Sequence, residues 1–359
     1  MAKALVFNLS GLGDTLFFLP ALAAWKRADP GLRVTALTMF PSVRELLENV
    51  DLVDEVIDHD FLAGSKAGGL AFFLGLRRRR FDWGVIPYGS NRLEYNLANF
   101  LSGPARRLAH RYRRDPLGSL GFLNQVRAPQ RPDRHAVEGN LDLLAAAGLR
   151  PAGLSGEWPR AALRIPAAAE AAAARRWAEM EAWRAGRAVV AVHAGSNPLK
   201  NQNRRCYPPR RFAEALREIA RHRPGAAFLL FEGASDRERT DLLAAALPPE
   251  LARRAAPESI LECAALLDRC AAFIGNDAGL LHLASFRGLP SVALFGPTNP
   301  AYVRPWGVPH RVVSLGLPCQ PCFEYSAKPL SCPAGIDFAC VQDLPPQRVA
   351  EAFLDLRPA

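Results

Sequence analysis

The sequence predicts an α/β protein of two consecutive halves, each a doubly wound parallel sheet with helices on both faces. Three observations carry this. Short apolar runs rich in strand formers alternate with helix-periodic segments over residues 4–149. The same alternation restarts at residue 189, after a stretch rich in turn formers. A chain of 359 residues is also long enough for two domains that each bury a core.

Residues 4–8 form the first apolar run. A glycine turn at 11–13 and a helical pattern over 14–28, closed by Pro30-Gly31, follow it. Residues 33–37 and 55–57 read as strands with a helix over 42–48 between them. A helix over 70–80, a strand at 83–87 and a helix over 92–101 come next. The Arg-rich stretch 104–132 lacks clear periodicity and reads as loop and short strand, before a helix over 135–149. Residues 151–166 gather turn formers and mark the linker, and the Ala-rich segment 166–183, ended by Gly186, reads as a helix. In the second half, strands are expected at 189–193, 227–231, 271–275 and 292–295. Helices are expected over 209–221, 236–247, 260–268, 279–286 and 346–356.

Strands separated by helices pair in parallel. The expected organisation is two Rossmann-like domains, 1–165 and 166–345, facing a central cleft, with a tail helix in 346–359. Ligands bind such sheets at the carboxyl ends of the strands, so chemistry is sought in the loops that follow them.

Composition sets the outer bounds. Hydrophobic residues at 49% and charged residues at 22% exclude a disordered chain. A net charge of +10 points to an acidic partner: nucleic acid, an anionic membrane face or a phosphorylated small molecule. No stretch approaches the ~18 apolar residues of a membrane span. Lys3 and the apolar run to Ala23 resemble a signal peptide until Asp14 and the Ser10-Gly11-Leu12-Gly13 turn interrupt it, so a cytoplasmic location is expected.

Three strand-end loops concentrate functional residue types. In the first, Gly11 and Gly13 let the backbone approach a ligand, and Asp14 stands where a helix begins, as cap or as base. A dinucleotide fingerprint is incomplete there, because Leu16 holds the place of the third glycine, which disfavours a Rossmann oxidoreductase. In the second, Ser196 precedes Lys200 and Arg205, small residues followed by cations, which suits an anion as well as a plain solvated loop. In the third, Asn276-Asp277-Ala278-Gly279 leads into a helix that carries His282. A diphosphate could rest on its first amides, and Asp277 could equally be a cap. Glu232 and Asp236, after the 227–231 strand, are candidates for ribose contacts. Cys319, Cys322, Cys332 and Cys340 have a spacing compatible with a structural tetrahedral zinc or iron site, and equally with reduced thiols or disulfides.

Taken together, Ser-Gly-Leu-Gly-Asp at 10–14, His193-Ala194-Gly195-Ser196, Asp277-x-Gly279-x-x-His282-x-Ala284, Gly288-x-Pro290 and Leu294-Phe295-Gly296-Pro297-Thr298-x-Pro300 resemble glycosyltransferase family 9, the ADP-heptose:lipopolysaccharide heptosyltransferases. The segment from His135 through Asn140-Leu141-Asp142 adds to the likeness, which runs over essentially the whole chain. The resemblance implies a GT-B fold with the acceptor on the first half, the nucleotide sugar on the second and a tail helix that can cross back to the first. It implies inverting transfer with no cofactor required for catalysis, and Asp14 as general base with Gly11 and Gly13 in the acceptor-side loop. It also implies that Ser196, Asp277, Ala278, Gly279 and His282 contact the donor. Either Lys200 or Arg205 is the phosphate cation. Ala278 stands where the family often has Thr or Ser, which removes one hydroxyl contact. Similar cysteine clusters occur in many members and hold iron in some.

The expected partners are ADP-heptose and an acidic lipid-linked glycan, with peripheral contact at the inner membrane face. Arg77–Arg80, Arg106-Arg107 and Arg111–Arg114 supply much of the positive charge of the acceptor half. Another nucleotide sugar, or a protein or different glycan as acceptor, remains open. A nucleic-acid-binding protein is the alternative from another class, although the arginine runs lack a recognition module or an aromatic platform.

Overall fold

Apolar runs in this chain become the buried strands of two wholly parallel, six-stranded sheets. The structure is a computed structural model and describes residues 1–61, 65–90, 92–112, 117–149, 158–233, 235–323 and 328–356. Residues 151–157 of the expected linker, and Arg113 and Arg114, lie outside them. Met1–Arg164 pack as one unit, and the described residues from Ile165 onward as another.

The first unit runs β1 (Lys3–Phe7), α1 (Leu12–Ala28), β2 (Arg33–Thr38), α2 (Pro41–Glu48), β3 (Glu55–Asp58) and α3 (Lys66–Leu76). It continues with β4 (Trp83–Val85), α4 (Leu93–Leu101), β5 (Arg106–Arg111), β6 (Val126–Pro129) and α5 (Ala136–Ala146). Its strand order is β3-β2-β1-β4-β5-β6. Alternate residues of β1 serve opposite faces: Ala4 and Val6 join one core, Leu5 and Phe7 the other.

The second unit opens with α6 (Ala167–Glu179), α7 (Glu181–Arg184), β7 (Ala188–His193), α8 (Pro209–His222), β8 (Ala226–Phe231), α9 (Arg237–Ala245) and β9 (Ala252–Ala255). Then come α10 (Ile260–Leu267), β10 (Ala272–Asn276), α11 (Gly279–Arg287), β11 (Ser291–Leu294), α12 (Pro300–Val303), β12 (His310–Val313), α13 (Ala339–Gln342) and α14 (Pro346–Leu354). The order β12-β11-β10-β7-β8-β9 repeats that of the first unit. Every residue of β8 is buried, as expected of a strand covered on both faces. Phe212, Ala215, Leu216 and Ile219 form the buried stripe of α8.

Two strands depart from the sequence reading. The Arg-rich stretch, expected as loop and short strand, holds β5 and β6, while the second sheet has the unexpected edge strands β9 and β12. Arginines and half-exposed positions in ARRA and HRVV break the apolar run that would reveal them. Val349 and Ala350 of α14 complete the second unit's core beside α8 and β12. Among the described residues, no helix is long and apolar enough to cross a membrane.

Candidate functional site

In each sheet the strand order reverses once, between β1 and β4 and between β7 and β10. Such switch points are where open α/β sheets hold ligands. Asp14 lies at the first of these points and Asp277, Ala278 and Gly279 at the second.

At the second, β10 ends on Asn276, which is buried and ties two neighbours together. Its Oδ1 accepts the Tyr207 N–H (2.9 Å), and its Nδ2 donates to the Ala194 carbonyl (2.9 Å). Asp277 follows, also buried, with Arg205 Nη1 at 2.8 Å from Oδ2 and His282 Nε2 at 3.6 Å from Oδ1. Burial pushes the Asp277 carboxyl up. The Arg205 charge and the bond from His282 outweigh it, so the carboxyl is held below the usual aspartate range. Arg205 Nη1 also donates to Thr298 Oγ1 (3.1 Å), while its buried Nε has no partner.

Ala278 precedes α11 in extended conformation with no side-chain cap, so the helix start is open to a ligand. Lys200 lies in a left-handed turn (φ 55°), and its carbonyl accepts the Leu330 N–H (2.8 Å). Arg205 is thus the cation that the fold gathers with Asp277 and His282. Ser196 is buried in the loop after β7.

Beside this cluster, His193 Nε2 and Asp236 Oδ2 pair at 3.0 Å, both buried, with His193 Nδ1 and Asp236 Oδ1 unpartnered. A Cβ at Gly195 would stand 2.0 Å from the Asp236 carboxyl carbon, so only glycine fits there. Glu232, the other expected ribose contact, is instead held by Arg254 and Arg237.

At the first switch point, Asp14 sits half-buried in the first turn of α1 with buried Gly13 and exposed Gly11 before it. Gly89, in the loop after β4, has φ +93°, and a Cβ there would lie 2.4 Å from Asp14 Oδ1. The Tyr112 hydroxyl accepts both the Gly89 and the Ser90 N–H at 2.9 Å, and Ser90 Oγ meets Ser10 Oγ at 2.7 Å. Tyr95 donates to the Leu9 carbonyl (2.6 Å). Its phenol is pushed up to about 12, mainly by burial, with the Asp14 charge adding to it. Sequence reasoning missed Gly89, Ser90 and Tyr112. Gly89-Ser90 follows a predicted strand and would have been found from the strand order. Tyr112 stands in the aperiodic Arg-rich stretch and carries no such signal.

The four clustered cysteines are free thiols. They bias one another: burial and then the neighbouring thiols raise Cys322, and raise Cys340 to about 11, while backbone N–H groups lower Cys332. Among the described residues, no group of three or more His, Cys, Asp or Glu side chains is set for a metal ion. Packing holds the segment. Cys322 N and Phe323 N donate to the Pro297 carbonyl (2.9 Å each), Gln320 Nε2 to the Gly296 carbonyl (2.6 Å), and Val341 lies against Gly296. The cysteine segment therefore braces the loop that carries Thr298.

The sequence profile of glycosyltransferase family 9 (heptosyltransferase) matches residues 96–331. Lipooligosaccharide heptosyltransferase 2 of Campylobacter jejuni is 36% identical over 88 residues, which is 24% of this chain and 26% of that protein. The stretches matched in the curated relatives thus span about a quarter to a third of their lengths. Two solved structures share the fold almost end to end. E. coli ADP-heptose lps heptosyltransferase II has a TM-score of 0.70 at 21% identity, covering 99% of this chain and 98% of that one. A glycosyl transferase family 9 protein of Veillonella parvula has a TM-score of 0.75 at 18% identity, covering 99% and 97%.

Proposed function

The chain belongs to glycosyltransferase family 9, with the GT-B architecture of two Rossmann-like sheets, and from that premise we propose that it transfers a heptose from ADP-heptose to a lipopolysaccharide-core-type acceptor with inversion. The observation that carries the reading is the Arg205–Asp277–His282 cluster at the uncapped start of α11. The name of the E. coli protein whose fold it shares supports the donor and acceptor classes.

The second unit binds the donor. The first amides of α11, around Ala278 and Gly279, and the guanidinium of Arg205 meet diphosphate oxygens, with Ser196 and His282 adding contacts. Asp277 fixes the guanidinium plane, and the buried Arg205 Nε has no protein partner among the described residues. As the glycosidic bond breaks, these donors meet the charge that develops on the leaving diphosphate. In the first unit, Asp14 takes the proton of the acceptor hydroxyl whose oxygen attacks the anomeric carbon. Gly89 leaves the carboxylate room, and its neighbour Gly11 leaves open space on the acceptor side. Four thiolates at Cys319, Cys322, Cys332 and Cys340 would suit zinc or iron, whose binding would tighten the brace on the 296–298 loop, outside the reaction itself. The acceptor is lipid-linked and met at a membrane face.

The test is a panel of nucleotide sugars offered to the purified protein with a heptose-accepting glycan. Nucleoside diphosphate release and the anomeric configuration of the product are read. Turnover with ADP-heptose and an inverted product is expected; turnover with a different nucleotide sugar and none with ADP-heptose would overturn the donor assignment.

A further inference from the structure

Helix α3 is apolar on every side yet scarcely buried. From Ala67 to Leu76 it carries no polar side chain, and within the helix only Leu76 is buried. One face turns inward. Phe72 stacks on His59 with ring centroids 4.1 Å apart, Phe73 stacks on Phe61 at 5.1 Å, and both phenylalanines pack on the core. The opposite stripe, Ala67, Leu70, Ala71 and Leu74, has helical spacing and faces outward, with Leu70 46% and Leu74 41% exposed. A surface helix ordinarily puts charge on that side. Helix α4, packed beside it, also leaves Leu93 and Phe100 exposed.

Cations rim this apolar surface. Lys66 opens the helix, and Arg77, Arg78 and Arg80 follow it, all exposed, while residues 65–80 contain no Asp or Glu. Arg77 lies over Gly103, where a Cβ would meet its Nε at 2.8 Å, three residues beyond Phe100. The Arg107 guanidinium covers the Phe100 ring at 5.3 Å. Arg79 is committed elsewhere, to Glu55 and the Phe81 ring.

We propose that this patch docks the protein on an anionic lipid bilayer. Leu70 and Leu74 enter the headgroup boundary while Lys66, Arg77, Arg78 and Arg80 meet lipid phosphates. The proposal deepens, and rests on, the reading that the acceptor is lipid-linked. Charge decides the occupant. A second copy set face to face would oppose Lys66 and the arginines to their own kind, with no carboxylate in 65–80 to answer them. A bilayer supplies both the negative charge and the apolar layer, and the long arginine stems let the leucines sink while the guanidinium groups stay at phosphate level.

Co-sedimentation of the full chain with phosphatidylcholine vesicles, with and without phosphatidylglycerol, tests this. Wild type should bind the anionic vesicles and weaken as salt rises. Leu70→Ser with Leu74→Ser should lower partitioning about tenfold or more. Arg77→Gln with Arg78→Gln and Arg80→Gln should remove most of the salt dependence. Both variants should transfer sugar to a lipid-free acceptor fragment at the wild-type rate, which reports folding and basal activity. The proposal is overturned if wild type ignores anionic vesicles or if the leucine variant binds as wild type does. It is likewise overturned if light scattering finds a dimer that the leucine variant dissociates. Loss of transfer by wild type on the lipid-free acceptor would instead strike the functional reading and leave the vesicle result standing.

Discussion

The two switch points share one topology and are built from opposite chemistry. In the second unit, buried polar groups are matched against each other: Arg205 pairs with Asp277, and His193 hydrogen-bonds with Asp236. In the first, Gly89 backbone lies against the half-buried Asp14 carboxylate, and the hydroxyls of Tyr112, Ser90 and Ser10 hold that loop. A pre-paid charge network suits a ligand that brings fixed negative charge, because the donors need no reorganisation when it arrives. A carboxylate beside a loop pinned by hydroxyls suits a group that must change protonation during turnover. On the proposed function, the same fold address serves binding in one half and proton transfer in the other.

The sharpest way to break this contrast is at Asp14. Asp14→Asn keeps the shape and removes the base, so kcat should fall about a thousandfold with ADP affinity unchanged. Wild-type turnover in a folded variant would remove the proton-transfer role from the first site. Arg205→Ala addresses the other half. It strips the cation from Asp277 and from the diphosphate, so kcat/KM should drop about a hundredfold, and calorimetry should show weaker ADP binding. Arg205→Lys should recover only part of this, because an ammonium cannot serve Asp277, Thr298 and a phosphate as a planar fork does. If ADP binding survived Arg205→Ala and was lost in Lys200→Ala, the cation assignment would pass to Lys200.

How much of this was legible follows the same division. The alternation of apolar runs and helix patterns revealed the two sheets, because strands covered on both faces must be apolar throughout. Edge strands β9 and β12 are half-exposed and Arg-bearing, so no run announced them. Asp14, Asp277 and His282 stood in motifs because each is fixed to a strand end by its neighbours in sequence. The choice between Lys200 and Arg205 could not be read from spacing; in the fold Arg205 pairs with Asp277, and the chain turns left-handed at Lys200 and Asn201 before it. The Tyr112 frame around Asp14 joins β5 to the loop after β4, a contact between distant residues that spacing cannot show. The cysteine spacing suggested a metal; what spacing could not show is that the segment braces Gly296–Thr298.

Tyr112→Phe sharpens the first site at smaller scale. The variant keeps the ring and takes away the oxygen that accepts two N–H groups, which frees the loop pressed on Asp14. We expect kcat to fall about tenfold with donor KM unchanged, as for a positioning residue. Combined with Asp14→Asn it should cost nothing further, because the loop then has no base to position. Additive losses would place Tyr112 outside the proton-transfer frame.

The smallest effect separates the two units by acid. His110, at the end of β5 beside Tyr88 and Tyr112, is buried with neither ring nitrogen bonded, and burial pushes its imidazole down to about 4. The unfolded chain takes up the proton at ordinary histidine pH and the folded one does not. The resulting stability is therefore complete above about 6.5 and is lost as pH falls toward 4. Between neutrality and pH 6 this amounts to about 1 kcal/mol. Asp277 behaves differently. Its carboxyl lies below the usual range, so its contribution persists through that window and disappears only below the ordinary aspartate value. Hydrogen exchange on the full chain reads the sheets separately: β5 amides should lose protection between pH 6.5 and 5 while β10 amides hold, after correction for the intrinsic pH dependence of exchange. His110→Phe should flatten the response of the first sheet alone. Equal acid sensitivity of both sheets, unchanged in His110→Phe, would show that the buried imidazole does not set the difference.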